Sequence, residues 1–296
     1  MGIANWLGRS VKNVKFRLRR NKETIVAEGD SWFEHLFIKD IIDHLIKIIN
    51  QRIYTLAYGG DWIGNYLEEQ KYIDALKKHK PNVFLLSGGG NDLVGNPRVS
   101  SLVKNRNEVD PTLNSNDDHL LGFYSTRFGN EIATKIITGR KFLNKHFTAV
   151  CQVFLFQYLL IIKSIENEPE LSNIKIIVQG YDFAIPSNNK NTLLRKTLGH
   201  SSWLYKPLKK MGIEDSFEQE SVVTAMLNNF NEILEYLSKS KKNVYYIDIR
   251  GRAKRDDWND ELHLKSHVYK DIAIAYKDCI NSNDNLKKTY KVKKSS

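Results

Sequence analysis

The chain alternates short apolar segments with longer amphipathic ones, and this alternation constrains its fold more than any other feature. The short segments are rich in β-branched residues and apolar on both faces, as in Ile174–Val178 and Val244–Ile247. They lie at residues 24–29, 52–58, 82–87, 174–180 and 243–249. Strands of this kind, separated by helices, are typical of a parallel sheet covered on both sides. The sequence therefore predicts an α/β fold, a three-layer α/β/α sandwich around a mainly parallel five-stranded sheet.

Helical periodicity fills most of the intervals between these strands. Helices are predicted at about 34–50, 60–79, 143–166, 217–239 and 265–280. Two sections, about 93–142 and 182–215, are too long for plain connections and are treated as insertions. The second, with Tyr181 just before it, contains several aromatic and apolar residues, including Trp203 and Leu204. These residues could line a pocket or lid, or they could simply pack the insertion onto the domain.

The positive charge of the chain is concentrated at its two ends. Residues 1–22 carry seven Lys or Arg and no acid, and residues 285–296 carry five and no acid. Removing these twelve charges from the formal +11 leaves residues 23–284 close to neutral. We therefore divide the chain into a basic amphipathic N-terminal arm (1–22), a main domain (23–280) with the two insertions, and a basic C-terminal tail (281–296).

The cysteine and N-terminal patterns indicate a reducing compartment and no cofactor. Cys151 and Cys279 are isolated and lack disulfide or zinc-ligand spacing. His263 and His267 have a spacing that can bind metal on a helix, but no third ligand is apparent. The first residues lack the apolar core of a signal peptide. We expect a cytoplasmic protein with no metal and no cofactor.

Three candidate site residues directly follow predicted strands. Ser31 ends the segment Gly29-Asp30-Ser31 after the first strand, Gly60 follows the second, and Asn91 follows the third within Gly88-Gly89-Gly90-Asn91-Asp92. In a doubly wound sheet the carboxyl ends of the strands share one rim, where ligands bind. Near the C-terminus, Asp260 and His263 add a carboxylate and an imidazole three residues apart. The combination predicts one hydrolytic site at this rim.

These residues resemble the blocks of the SGNH (GDSL-type) hydrolase family. Gly29-Asp30-Ser31 resembles the first block, Gly60 the second, Gly89-Gly90-Asn91-Asp92 the third, and Asp260 to His263 the last. The chain departs from the family's usual phrase at Trp32, Leu264 and Val268, where leucine, proline and glycine are common. The resemblance implies a flavodoxin-like sheet of the SGNH type and a serine esterase acting on acyl esters, lipid or other.

The resemblance also implies a role for each matched residue. Ser31 would be the nucleophile, His263 the general base and Asp260 the group that orients His263. The backbone N–H groups of Ser31 and Gly60 and the side-chain amide of Asn91 would form the oxyanion hole. Gly59 is the alternative to Gly60 but lies one residue further from Asp61.

Several alternatives remain open from the sequence. The same triad could deacetylate a carbohydrate or perform acyl transfer, and the chain could instead be a non-catalytic binding or scaffold protein on a hydrolase fold. Gly199-His200-Ser201-Ser202-Trp203 is similar to a nucleophile elbow, but Trp203 replaces the final glycine and no apolar strand precedes it.

The arm at residues 1–22 suggests a partner of its own. Apolar residues recur at helical spacing between its cations, a pattern that fits an interfacial helix on an anionic membrane surface. The alternative is that these apolar residues pack on the domain. Nucleic acid is disfavoured because the near-neutral domain shows no basic stripe with interleaved aromatics, and protein partners are unknown from the sequence. If the arm binds lipid, the protein would lie peripherally at the membrane.

Overall fold

A computed structural model describes residues 2–95, 97–188 and 202–294, without the side chains of residues 2–7. Its centre is a parallel sheet in the order β2-β1-β3-β4-β5-β6. The strands are β1 (Thr24–Gly29), β2 (Arg52–Thr55), β3 (Val83–Ser87), β4 (Lys175–Gln179), β5 (Val244–Asp248) and β6 (Thr289–Lys291). The α/β class and parallel sheet agree with the sequence prediction, but the sheet has six strands rather than five.

The extra strand comes from the basic C-terminal tail. Tyr290 is buried, and β6 pairs in parallel with β5 through the register Ile247↔Tyr290. The short run Thr289–Lys291 has little strand pattern of its own, because a single buried side chain between polar neighbours looks like an ordinary tail. Its strand conformation depends on pairing with β5, which a reading of local pattern does not detect.

Helices cover the sheet in two layers. The first five are α1 (Gly2–Leu18), α2 (Ile41–Ile48), α3 (Ile63–Glu69), α4 (Lys71–His79) and α5 (Gly90–Leu93). In the described part of the chain these are followed by α6 (Arg98–Leu102), α7 (Asp118–Phe128), α8 (Asn130–Phe142), α9 (Lys145–Glu166), α10 (Tyr205–Lys210), α11 (Ser216–Ser240) and α12 (Ser266–Asn281). Helix α2 packs beside α12, whereas α9 packs with α3 and α11.

Three predicted elements differ from the observed ones. The helix expected at 34–50 begins only at Ile41, because residues 31–40 form turns and Asp40 caps α2 by accepting from Asp43 N. The helix expected at 60–79 is broken at Gln70, which has a φ of 49°. The insertion at 93–142 is largely helical and adds a small second core at Tyr124, Ala133, Ile136 and Ile137.

Helix α9 is the one described helix that is long and apolar enough to span a membrane by length and composition. One side of it is core, with Phe154, Tyr158 and Ile161 buried. Val153 and Phe156 on the other side are exposed, so the helix is only half-buried.

Helix α1 covers the free edge of the sheet beside β2. The Asn13 side chain donates to Thr55 O and accepts from Thr55 N, both at 3.0 Å, which is the pairing a neighbouring strand would supply. Arg9 and Arg19 donate to the carbonyl oxygens of Leu56 and Gln51. Exposed strand edges invite pairing with other chains, so this helix protects an edge that would otherwise be open.

Candidate active site

Ser31 lies in the turn directly after β1, at the carboxyl rim of the sheet. The turn is formed by Asp30, whose carbonyl accepts from Phe33 N and Glu34 N and whose carboxylate accepts from Trp32 N at 3.0 Å. Gly29 is required at the strand end because a Cβ there would lie 2.7 Å from the Phe33 ring and 3.0 Å from Ser87 O. The Ser31 hydroxyl is thereby presented at the edge of a fully buried strand.

Ser31, His263 and Asp260 form a continuous hydrogen-bonded chain. The Ser31 Oγ to His263 Nε2 distance is 2.9 Å, and His263 Nδ1 lies 3.0 Å from each Asp260 oxygen. An ionised Asp260 can only accept, so Nδ1 carries the proton and Nε2 is free to accept from the Ser31 hydroxyl. Ser31 and His263, 232 residues apart in the sequence, thus meet with Asp260 in the geometry of a nucleophile, a base and an orienting carboxylate.

The electrostatics of the pair favour an ionised aspartate beside a basic imidazole. Burial alone would raise the pKa of Asp260, but His263 and backbone N–H groups lower it to about 2. Burial alone would lower the pKa of His263, but the charge of Asp260 and its hydrogen bond raise it above the usual value. The His35 ring lies edge-on to His263 with centroids 4.5 Å apart, and burial lowers the pKa of His35 to about 3. The neighbour of His263 is therefore a neutral imidazole.

The loops that follow β2 and β3 meet beside Ser31. Asn91 stands in α5 and lines the same pocket as Ser31, and its side-chain amide donates to Asp61 O at 3.0 Å. Gly60, directly before Asp61, has a φ of +91°, a conformation that favours glycine. Arg98 donates to Asn91 O at 2.7 Å and stacks over the Trp62 ring at 3.9 Å, which ties these two loops together.

An apolar pocket opens next to Ser31, with a volume of about 530 Å³ including its open mouth. Asp30 and Tyr181 lie in its wall, and the Tyr181 hydroxyl donates to Asp30 at 2.5 Å. Burial raises the pKa of Asp30 to about 6. The apolar lining consists of Leu93, Val94, Leu204, Val223, Met226, Leu227 and Leu262, together with Trp32, Trp258 and Ala184.

Sequence analysis missed several residues around this site. Tyr181 was noted only for its aromatic character, although it closely follows β4 and the strand-end rule that selected Ser31 and Asn91 would have found it. Lys12 and Glu261 gave no local signal, because their partners lie 21 or more and 56 or more residues away. Ser201 of the alternative nucleophile motif lies outside the described residues, as does part of the insertion at 182–215. Among the described residues, no group of three or more His, Cys, Asp or Glu side chains is placed to hold a metal ion.

Comparison with solved structures found chains described as hydrolases, at low sequence identity. No protein-family model matches it, and no curated protein matches it. A chain described as a GDSL-like lipase from Parabacteroides merdae is 11% identical over 86% of this chain and 93% of its own, with a TM-score of 0.42. A chain described as an SGNH hydrolase from Slackia heliotrinireducens is 10% identical over 88% and 100%, with a TM-score of 0.43. AlinE4, an SGNH-hydrolase family esterase, is 15% identical over 88% and 95%, with a TM-score of 0.38. The chemistry of the site therefore rests on its own residues.

Proposed function

We propose that the protein is a serine ester hydrolase that acts on acyl esters through Ser31, His263 and Asp260. The observation that carries this proposal is the unbroken hydrogen-bond chain from the Ser31 hydroxyl through His263 to Asp260. A helix cap or solvated loop would not require an imidazole from the other end of the chain within 2.9 Å of the serine. This geometry also argues against a scaffold role, for which the three groups need no mutual alignment.

Hydrolysis would proceed in two steps. His263 Nε2 takes the Ser31 proton as Oγ attacks the ester carbonyl, and the resulting imidazolium returns that proton to the leaving alcohol, which leaves an acyl-serine. Water then attacks the acyl-serine with His263 again as the base, and the acid departs as Ser31 regains its proton. Asp260 stabilises the imidazolium formed in both steps and holds its tautomer. Acyl transfer would differ only in the nucleophile of the second step.

The oxyanion formed in each step requires preset donors. We assign this role to the backbone N–H groups of Ser31 and Gly60 and to the second N–H of the Asn91 amide. The first N–H of that amide is held by Asp61 O, which fixes the direction of the other. One donor of this kind is worth about 3–4 kcal/mol of transition-state stabilisation.

The pocket beside Ser31 favours an apolar acyl group over an acetylated sugar. Its lining is mostly aliphatic and aromatic, whereas a carbohydrate site needs several polar groups to satisfy sugar hydroxyls. We therefore place lipid-like acyl esters ahead of carbohydrate esters as substrates.

We further propose that α1 is the part of the protein that contacts an anionic membrane surface. The helix docks on β2 through polar side chains and leaves Val11 (57% exposed), Val14 and Leu18 (80% exposed) outside. These three residues lie on one helical face, flanked by exposed cations such as Lys15 and Arg17. An exposed apolar stripe bordered by cations suits an interface with anionic lipid.

Fluorophosphonate labelling and ester hydrolysis test the catalytic proposal. We expect wild type to be labelled at Ser31 and to hydrolyse p-nitrophenyl esters graded from acetyl to long acyl. Ser31→Ala should lose the label and at least about 10³-fold in kcat. Ser100→Ala, which removes a serine hydroxyl in α6, is the control and should leave labelling and kcat unchanged. Equal labelling of Ser31→Ala and wild type would reject Ser31 as the nucleophile.

Vesicle sedimentation tests the membrane proposal. Val11→Ser, Val14→Ser and Leu18→Ser together should abolish binding to phosphatidylserine-containing vesicles while leaving hydrolysis of a soluble ester intact. Leu286→Ser, at a residue that is 93% exposed elsewhere, is the matched control. Deletion of residues 1–22 is unsuitable because it would also remove buried groups of α1. Unchanged sedimentation of the triple variant would show that the stripe does not bind lipid.

A further inference from the structure

Glu261 is a buried carboxylate within the catalytic loop that has no part in the triad. It stands between Asp260 and Leu262 and is 1% exposed. Its oxygens accept a hydrogen bond from the Ser202 hydroxyl at 2.7 Å. They also accept from backbone N–H groups of Ser187, Trp203, Leu204 and Tyr205, at 2.9, 2.7, 3.3 and 2.9 Å respectively.

The donors come from the segment that follows β4, far from the catalytic loop in sequence. They lie 56 to 74 residues before Glu261. Most are backbone groups, so the carboxylate holds the backbone at Ser187 and at residues 203–205 and not merely one side chain. Charge-assisted hydrogen bonds to a buried carboxylate are about twice as strong as neutral ones. Glu261 therefore fixes two separate parts of the chain to each other.

The segment that Glu261 holds contributes to both the pocket and the surroundings of the base. Leu204 is buried and lines the apolar pocket beside Ser31. The Trp203 indole stands edge-on to the His263 ring, with centroids 6.4 Å apart. On the other side of Glu261, Leu262 lines the same pocket and its carbonyl accepts from Trp32 Nε1 at 3.1 Å. One side chain thus joins the pocket wall to the loop that carries His263.

We propose that Glu261 is a positioning residue that couples the acyl pocket to the catalytic base and makes the enzyme select acyl chains long enough to reach Leu204. The inference rests on the proposed ester hydrolase and adds a substrate class, an apolar acyl group longer than acetyl. Such a chain would press on the Leu204 wall, and the Glu261 contacts would hold that wall and His263 in register. An acetyl group is too short to use this coupling.

Glu261→Gln tests the coupling with little change of shape. One carboxylate oxygen becomes an NH₂ group that faces N–H donors, so at least one hydrogen bond is lost. We expect kcat for a hexanoyl ester to fall about tenfold or more, since small misplacements at an active site are costly. The acetyl ester should lose only about two- to threefold by the same reasoning, so the ratio of the two rates falls. Glu218→Gln, the same exchange at a buried glutamate paired with Arg106, should leave the ratio unchanged.

Two further measurements keep the test decisive. If Glu261→Gln does not fold, Ser202→Ala removes one donor and should lower the hexanoyl-to-acetyl ratio of kcat about threefold, a smaller step of the same kind. Amide hydrogen exchange at Trp203 and Tyr205 should be slow in wild type and faster in either variant. An unchanged ratio in the folded variants, or unchanged exchange, would overturn the coupling. A wild type that hydrolyses no ester would instead reject the ester assignment, and the exchange rates would still report on Glu261.

Discussion

The two halves of the candidate active site are held by different kinds of support. The segment after Ser31 is anchored by Lys12, a residue of α1 that is 3% exposed and donates to Phe33 O at 2.9 Å and to Glu34 at 2.7 Å. Its third partner is Asp40 at 2.5 Å, the residue that caps α2. Burial alone would lower the pKa of Lys12, but Asp40 and Glu34 raise it. This support is a buried charge cluster.

The loop around His263 is held by separate hydrogen bonds, some within the loop and some to a distant segment. Asp260 accepts from Leu262 N at 2.8 Å and His263 N at 2.9 Å, and Trp258 pairs with Leu264 in a short antiparallel bridge. Glu261 accepts further hydrogen bonds, mostly from backbone N–H groups 56 or more residues earlier in the chain. A charge cluster fails as a unit when one member is lost, because the others stay buried without compensation. The hydrogen bonds of Glu261 are several and separate, so the loss of one leaves the others in place, and we expect graded losses on the His263 side.

The largest effect is expected from Asp260→Asn, which affects the His263 half alone. The amide can present its NH₂ to Nδ1 and stabilise the wrong imidazole tautomer, so kcat should fall by about 10³- to 10⁴-fold. The fold should survive because an amide oxygen can still accept from the backbone N–H groups of Leu262 and His263. Steady-state kinetics with a thermal melt checks both points. Residual activity within tenfold of wild type would show that Asp260 does not orient His263.

Lys12→Met should destabilise the Ser31 half and, with it, the fold. It leaves Glu34 and Asp40 buried without their cation, and the loss of one partner from a buried pair costs about 3–5 kcal/mol in the free energy of unfolding. Urea denaturation measures this loss. Lys15→Met on the exposed face of α1 is the control and should stay within about 0.5 kcal/mol of wild type. Similar stability of the two variants would mean that the charge cluster is not a support.

The pH dependence of activity should separate the two halves further. His263 must be neutral to accept the Ser31 proton, and its pKa is raised by Asp260, so kcat/KM should rise with pH along a limb centred above 6.5. Asp260, with a pKa of about 2, stays ionised throughout that limb. Lys15→Met should leave the limb in place, whereas Asp260→Asn should move it to lower pH because burial then outweighs the remaining charge of Asp30. A limb at the same pH in Asp260→Asn would contradict this assignment.

The smallest effect is expected from Asn13→Ala, which removes one edge contact of α1 but keeps Lys12. Thr55 N and Thr55 O would lose their partners at the edge of β2, at a cost of about 1–2 kcal/mol. Comparison with Lys12→Met in the same urea series shows whether α1 stabilises the fold mainly through the charge of Lys12 or through the pairing of Asn13 with β2. Val14→Ala, on the exposed face, should cause no loss. A larger loss for Asn13→Ala than for Lys12→Met would reverse the ranking of these contacts.

The sequence predicted those parts of the fold that depend on local pattern. The first five strands agree with the predicted segments to within three residues at each end, because β-branched, two-sided apolar runs mark buried parallel strands. Helix α11 agrees equally well, since its apolar face repeats along 25 residues. Strand β6 and the late start of α2 were missed because each depends on a partner elsewhere in the chain. Lys12 illustrates the reason. It is one of seven cations in the arm, and nothing in the local sequence distinguishes it from the others, although the folded chain buries it.

The candidate site shows the same division. Ser31, Asn91 and the Asp260–His263 pair were selected by strand ends and short spacings, and the structure brings Ser31, Asp260 and His263 into hydrogen-bond contact. Their catalytic roles remain predictions until activity is measured. The supports of the site, Lys12 and Glu261, join segments 21 to 74 residues apart, and no periodicity or spacing in the sequence records such contacts.

The position of Asn13 against β2 has a consequence for handling the protein. A chain that has lost its first twenty residues, by a protease or by a shortened clone, would carry an uncovered strand able to pair with the same strand of another molecule. Such material would form oligomers in proportion to its concentration, and their appearance would report damage to the N-terminus.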